Sequence, residues 1–142
     1  MKRIAIGMLA AATSVASPAA AREFVVQMKT SGAGGVMVFE PAVVNARVGD
    51  TVRFVPTQPS HNAETIPAIW PADAAPIKGA INKEIVLAVT RPGIYGIKCL
   101  PHYAMGMVAL VIAGNANRTA AQAAALPPLA AKRIKPALMA VK

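Results

Sequence analysis

Short alternating stretches of apolar and polar residues dominate the chain after about residue 22. The segment EFVVQMK (23–29) is rich in strand-forming residues, and SGAGG (31–35) predicts a flexible turn before the next apolar run. Three further segments return to the strand pattern: 84–89, 93–99 and 107–114. Short strands separated by Gly and Pro turns predict an all-β domain, specifically an antiparallel β-sandwich.

The segment 43–57 shows this pattern most clearly. It predicts two strands joined by a turn at Gly49-Asp50, with Val52, Phe54 and Pro56 on one face of the second strand and Arg53 on the other. Residues 68–82, by contrast, are irregular and contain two prolines, which predicts a long loop.

After Asn115 the chain becomes rich in alanine and loses its β-branched runs, which favours helix. Pro127-Pro128 must divide this region into two pieces. We expect two helices that pack on a sheet through an apolar stripe, which comprises Leu126, Leu129, Ile134, Leu138 and Met139. A disordered basic tail is the alternative, because the region carries several Lys and Arg and no acid.

The N-terminus has the layout of a secretory signal. Lys2 and Arg3 precede an apolar run, and small residues at Ala19–Ala21 form an A-x-A site. The run is too short to span a bilayer. We therefore expect residues 1–21 to be removed, leaving one domain over 22–142 with a helical extension at 116–142, in the periplasm. A helix retained in the mature protein is the alternative.

The chain has a formal net charge of +9, and loss of Lys2 and Arg3 leaves 13 of its 15 basic residues against 6 acidic ones, about +7. Nucleic acid is a poor candidate for a partner, because no basic run alternates with aromatic residues as a stacking platform requires. A specific acidic partner and a merely solvated basic surface both remain open.

The segment KCLPHYAMGM (98–107) holds the only cysteine, Cys99, in the motif C-x2-H-x4-M with His102 and Met107. The second histidine, His61, lies in another predicted loop. Two imidazoles, a thiolate and a distant thioether form the ligand set of a blue copper centre, whereas structural zinc usually takes more cysteines. Met105 is an alternative thioether, but Met107 begins a predicted strand and so has the more rigid base.

Each of these residues, taken alone, has another interpretation. Cys99 alone could be a buried small hydrophobe, and either histidine could be an ordinary surface residue. A Cys-His nucleophile is conceivable, but the pair lacks a third group to orient or activate it. The presence of all three residue types in one loop favours metal binding.

The stretches VMVFEPAVV, VGDTVRFVPT, SHNAETI and PGIYGIKCLPHYAMGMVALV resemble the pseudoazurins, a branch of the cupredoxin family. The resemblance covers nearly the whole mature chain. It implies a cupredoxin-like Greek-key β-sandwich of about eight strands with two short C-terminal helices. It also implies one copper ion bound by His61, Cys99, His102 and Met107, with Asn62 bracing the cysteine loop.

The resemblance further implies a monomeric one-electron carrier, neither an enzyme nor a membrane protein. Its partners would be redox proteins with an acidic docking surface, namely a copper nitrite reductase or a c-type cytochrome. A copper storage or delivery protein is the alternative function.

His102 would be the exposed ligand in this family, within an apolar rim for which Pro101, Met37 and Met105 are candidates. Lys29, Lys78 and Lys98 are candidates for steering a partner. The sequence departs from the family at Gln58, where a lysine is frequent, and at Trp70, which we expect to be a bulky addition near the site loops.

Overall fold

The computed structural model describes residues 20–140, so the predicted signal at 1–21 lies almost wholly outside the described residues. Eight strands occur within that range: β1 Glu23–Gly32, β2 Gly35–Glu40, β3 Val43–Ala46, β4 Thr51–Pro56, β5 Glu64–Thr65, β6 Ile85–Ala88, β7 Gly93–Lys98 and β8 Val108–Ala113. A 3₁₀ turn (Tyr103–Met105) and two helices, α1 (Thr119–Ala123) and α2 (Pro128–Ala140), complete the order.

The strands form two four-stranded sheets, with orders β2-β1-β4-β6 and β3-β8-β7-β5. The predicted eight-stranded sandwich with two C-terminal helices is therefore confirmed. Val52 and Phe54 of β4 are fully buried between the sheets, as their alternation predicts. Phe54 meets Phe39 edge to face, with ring centroids 5.8 Å apart.

The expectation that all strands pair antiparallel is wrong at two places. β1 pairs parallel with β4, with Val26 opposite Phe54, and β3 pairs parallel with β8, with Val44 opposite Val111. Between β1 and β4 the chain makes one hairpin and one strand of the opposite sheet. Strand β4 therefore lies beside β1 and runs in the same direction. A crossover connection allows this parallel pairing, whereas a tight turn does not.

Strand β8 is buried on both faces. Ala109, Val111 and Ala113 belong to the core between the sheets, while Leu110 and Ile112 belong to a second core beneath the helices. This explains why its sequence is a continuous apolar run rather than an alternating one. The C-terminal helices thus cover the outer face of the sheet that carries the cysteine.

Helix α2 docks through Ala130, Ile134 and Leu138, which are spaced four residues apart and nearly inaccessible to solvent. The predicted apolar stripe is only half right, because Leu129 is 49% exposed and Met139 77% exposed. Each lies about 100° around the helix from its buried neighbour, so the docked face is narrower than the stripe. Burial of a residue such as Leu138 contributes about 1.5–3 kcal/mol.

Trp70 does not lie near the site loops, contrary to the expectation. Its ring packs edge to face on Tyr95 with centroids 4.9 Å apart, and its Nε1 donates to the Ala74 carbonyl at 3.0 Å. It lines a cavity with Gly93 at the start of β7. Cys99 follows the end of that strand, about 20 Å from Gly93 at about 3.3 Å per residue.

No helix within residues 20–140 is long and apolar enough to cross a membrane.

Candidate metal centre

The loop between β7 and β8 closes on itself through backbone hydrogen bonds. The Cys99 amide donates to the Met107 carbonyl at 3.0 Å, and the Met107 amide donates to the His102 carbonyl at 3.1 Å. Gly106 completes the return with a φ of +84°, where a Cβ would lie 3.0 Å from the Leu129 carbonyl oxygen. Glycine is therefore required there by both conformation and space.

His61 reaches the same place from the loop between β4 and β5. Its ring is fully buried, and its Nε2 lies 3.0 Å from the Thr30 hydroxyl of β1. The neutral tautomer with a proton on Nε2 donates to that hydroxyl and leaves the Nδ1 lone pair facing Cys99 and His102. This loop crosses from the sheet of β4 to the sheet of β7, so His61 lies where the chain passes between the two sheets.

Three potential ligand atoms form a small triangle. The Nδ1 atoms of His61 and His102 are 3.1 Å apart, and the Cys99 Sγ lies 3.8 Å and 3.5 Å from them, respectively. A circle through points with these separations has a radius of about 2.0 Å, close to the bond lengths of about 2.0–2.3 Å that imidazole and thiolate make with zinc. The separations of these three atoms therefore suit a single first-row metal ion.

The two candidate thioethers differ sharply in position. Met107 is fully buried and belongs to the same apolar core as Cys99, whereas Met105 is 45% exposed. Met107 is therefore the thioether that is buried in the core beside Cys99, and it is also the one favoured by its place at the start of a predicted strand.

Asn62 ties the two loops together, as the family resemblance implied. Its Oδ1 accepts from the Leu100 amide at 2.8 Å, and its Nδ2 donates to Glu64 and to the Gly79 carbonyl at 3.0 and 2.9 Å. One side chain thus joins the segment that carries His61 to the loop that carries Cys99.

Comparison with known proteins agrees with this geometry. The family model described as copper binding proteins of the plastocyanin/azurin family matches residues 26–114. The chain belongs to this family.

Curated relatives narrow the branch to the pseudoazurins. The pseudoazurin of Methylorubrum extorquens is 44% identical over 135 residues, covering 94% of this chain and 91% of its own, and that of Paracoccus pantotrophus is 46% identical over 127 residues, covering 88% of both. The crystal structure of native pseudoazurin from Hyphomicrobium denitrificans superposes with a TM-score of 0.81 at 42% identity, covering 84% of this chain and 98% of its own. The metal of this site is therefore copper, and the donor atoms of the site suit that ion.

Burial controls the protonation of this pseudoazurin-type cluster. It raises the pKa of the Cys99 thiol, an effect that hydrogen bonds from the Asn62 and His102 amides oppose. Burial, followed by the nearby His102, lowers the pKa of His61. His61 is thus held in the neutral form that binds metals, while the thiolate form of Cys99 needs a cation beside it.

His102 is the histidine nearer to solvent, since it is half-buried and His61 is inaccessible. The surface beside it is apolar, with Leu100 53% exposed, Met105 45% exposed and Pro101 also exposed. Met37, the third candidate for this rim, is half-buried and packs against the core between the sheets.

The three candidate steering lysines are not equivalent. The ammonium of Lys29 lies 2.7 Å from Glu40, so its charge is largely neutralised. Lys98 lies over the ring of Tyr103 at 5.2 Å from its centroid, beside the ligand loop. Lys78 is exposed and its backbone forms an isolated bridge with Glu64.

Some residues that shape the site were not anticipated. The Gln58 side chain accepts from the Thr30 and Ser31 amides at 2.6 and 3.0 Å, so it fastens the His61 loop to β1 instead of docking a partner. Thr30 itself and Arg133 of α2 were also missed. Nothing local marks them, because their partners are distant in sequence.

Proposed function

We propose that this protein is a periplasmic one-electron carrier that binds one copper ion through His61, Cys99, His102 and Met107. The observation that carries the proposal is the triangle of the Cys99 sulfur and the two Nδ1 atoms, whose separations of 3.1–3.8 Å suit one ion. When bound there, copper would supply the redox couple of Cu(II) and Cu(I).

The residues favour electron transfer over catalysis. Three buried or half-buried ligands from two braced loops, with Met107 buried in the same core as Cys99, would leave no open position for a substrate. The bracing by Asn62 and Thr30 limits ligand movement when the charge of the ion changes. The edge of His102 within its apolar rim is the path by which the electron leaves.

Partners and export complete the proposal. A copper nitrite reductase or a c-type cytochrome with an acidic surface fits the basic charge of the chain. Residues 1–21 would be removed on export, leaving a single domain over 22–142. Mass spectrometry of protein secreted with its native N-terminus would test that boundary, and an N-terminus other than Arg22 would move it.

The alternative, copper storage or delivery, predicts accessible ligands that exchange readily. His61, Cys99 and Met107 are fully buried, which favours slow exchange instead. Titration of metal-free protein with Cu(II) separates the two functions. An intense visible thiolate-to-copper absorption, bleached reversibly by a reductant, supports the carrier, and a colourless complex that forms only with Cu(I) supports storage or delivery.

A further inference from the structure

The C-terminal helix reaches the ligand loop through one side chain. The guanidinium of Arg133 donates to three backbone carbonyls: those of Met37 at 2.7 Å, Gly106 at 2.9 Å and Val36 at 2.9 Å. Its acceptors lie 27 to 97 residues away in the sequence, in β2 and in the loop between β7 and β8.

Arg133 has a rigid base for these contacts. The next residue, Ile134, is buried to 1% exposure and Leu138 to 0%, so the helix is held firmly against β8. The planar fork of arginine spans several carbonyls at once, and hydrogen bonds from a charged donor are stronger than neutral ones. The side chain therefore transmits the position of α2 to the loop.

One of the three acceptors belongs to the peptide that leads directly into a ligand. The Gly106 carbonyl is joined to the amide of Met107, and that amide donates to the His102 carbonyl at 3.1 Å. A shift of the Gly106–Met107 peptide would therefore move the thioether and the exposed imidazole together. The hydrogen bonds to the other two acceptors, the carbonyls of Val36 and Met37, join the same side chain to β2.

We propose that Arg133 is a positioning residue of the copper centre, which sets the placement of Met107 and His102 by holding the Gly106–Met107 peptide. The inference rests on the proposed ligand set. It gives the C-terminal extension a role at the metal site in addition to covering the sheet.

The test compares Arg133→Met with Lys132→Met in the full chain. Both variants remove one positive charge and insert the same good helix former, but Lys132 is exposed on the outward face. Without metal, Arg133→Met should speed hydrogen exchange at the Gly106 and Met107 amides about tenfold, and Lys132→Met should not. With copper, only Arg133→Met should change the visible absorption and the reduction potential.

Arg133→Lys separates geometry from charge, because an ammonium keeps the charge but lacks the planar fork. We expect its absorption spectrum to resemble that of Arg133→Met. A wild-type spectrum in Arg133→Lys, or an unchanged spectrum and potential in Arg133→Met, would overturn the proposal. If the wild-type chain forms no blue complex, the proposed function fails, whereas the exchange measurement without metal still tests whether Arg133 holds the peptide.

Discussion

Replacement of Thr30 by valine removes the hydroxyl that contacts the Nε2 atom of His61. Valine keeps the shape of the side chain and suits a strand, so β1 should remain intact. The Nε2 atom of His61 would lose its partner at 3.0 Å while the ring stays fully buried. An unsatisfied buried donor costs about 1–3 kcal/mol, and because Thr30 is exposed on its other side we expect the lower end, about 1 kcal/mol.

The loss should appear in metal affinity as well as in stability. Mutation of a residue that orients a metal-binding histidine lowers affinity about 10–100-fold, so we expect about tenfold weaker copper binding for Thr30→Val. Competition with a chelator of known affinity measures it, and Thr30→Ser, which keeps the hydroxyl, should recover most of the affinity.

Thr57→Val is the matched control for this substitution. The Thr57 hydroxyl donates to the Met28 carbonyl at 3.2 Å, a comparable hydrogen bond that does not involve the histidine. If Thr30→Val and Thr57→Val lower the free energy of unfolding but leave copper affinity equal to wild type, Thr30 does not orient His61 and the reasoning is refuted.

The remaining predictions concern the ligands and docking. Cys99→Ser should abolish the blue absorption and leave the far-ultraviolet circular dichroism unchanged, and a variant that stays blue would disprove the assignment. Met107→Gln should change the spectrum and reduction potential strongly and the exposed Met105→Gln much less, and the reverse ranking would identify the wrong thioether. The electron-transfer rate with an acidic partner should fall as salt rises, because salt screens charge interactions beyond about 8 Å at physiological ionic strength. Lys98→Glu should lower that rate at low salt without altering the copper spectrum. Lys29 is the weaker candidate, because it is already paired with Glu40. A rate that responds neither to salt nor to Lys98→Glu would mean that docking depends on the apolar rim alone.

Local patterns were sufficient to predict both helices and every strand except β5, which has only two residues. Alternation located most strands because one face of each meets a core, although β8 is buried on both faces. Pro127-Pro128 separated the helices because proline favours the first position of a helix, where Pro128 begins α2. The spacing of Cys99, His102 and Met107 predicted one site, since a closed loop between adjacent strands keeps residues that are near in sequence near in space.

Contacts between distant segments depended on the tertiary structure. The parallel pairing of β1 with β4, the burial of both faces of β8 and the position of Trp70 at the opposite end arise from how the chain crosses between sheets. The same crossing brings His61 to within 3.1 Å of His102 and places Thr30 behind it. Arg133 reaches the ligand loop only because α2 docks on β8. Residue type and spacing therefore predicted which side chains could bind a metal. Contacts between distant segments follow no period in the sequence, so only the packing of the two sheets and the helix decided what holds those side chains in place.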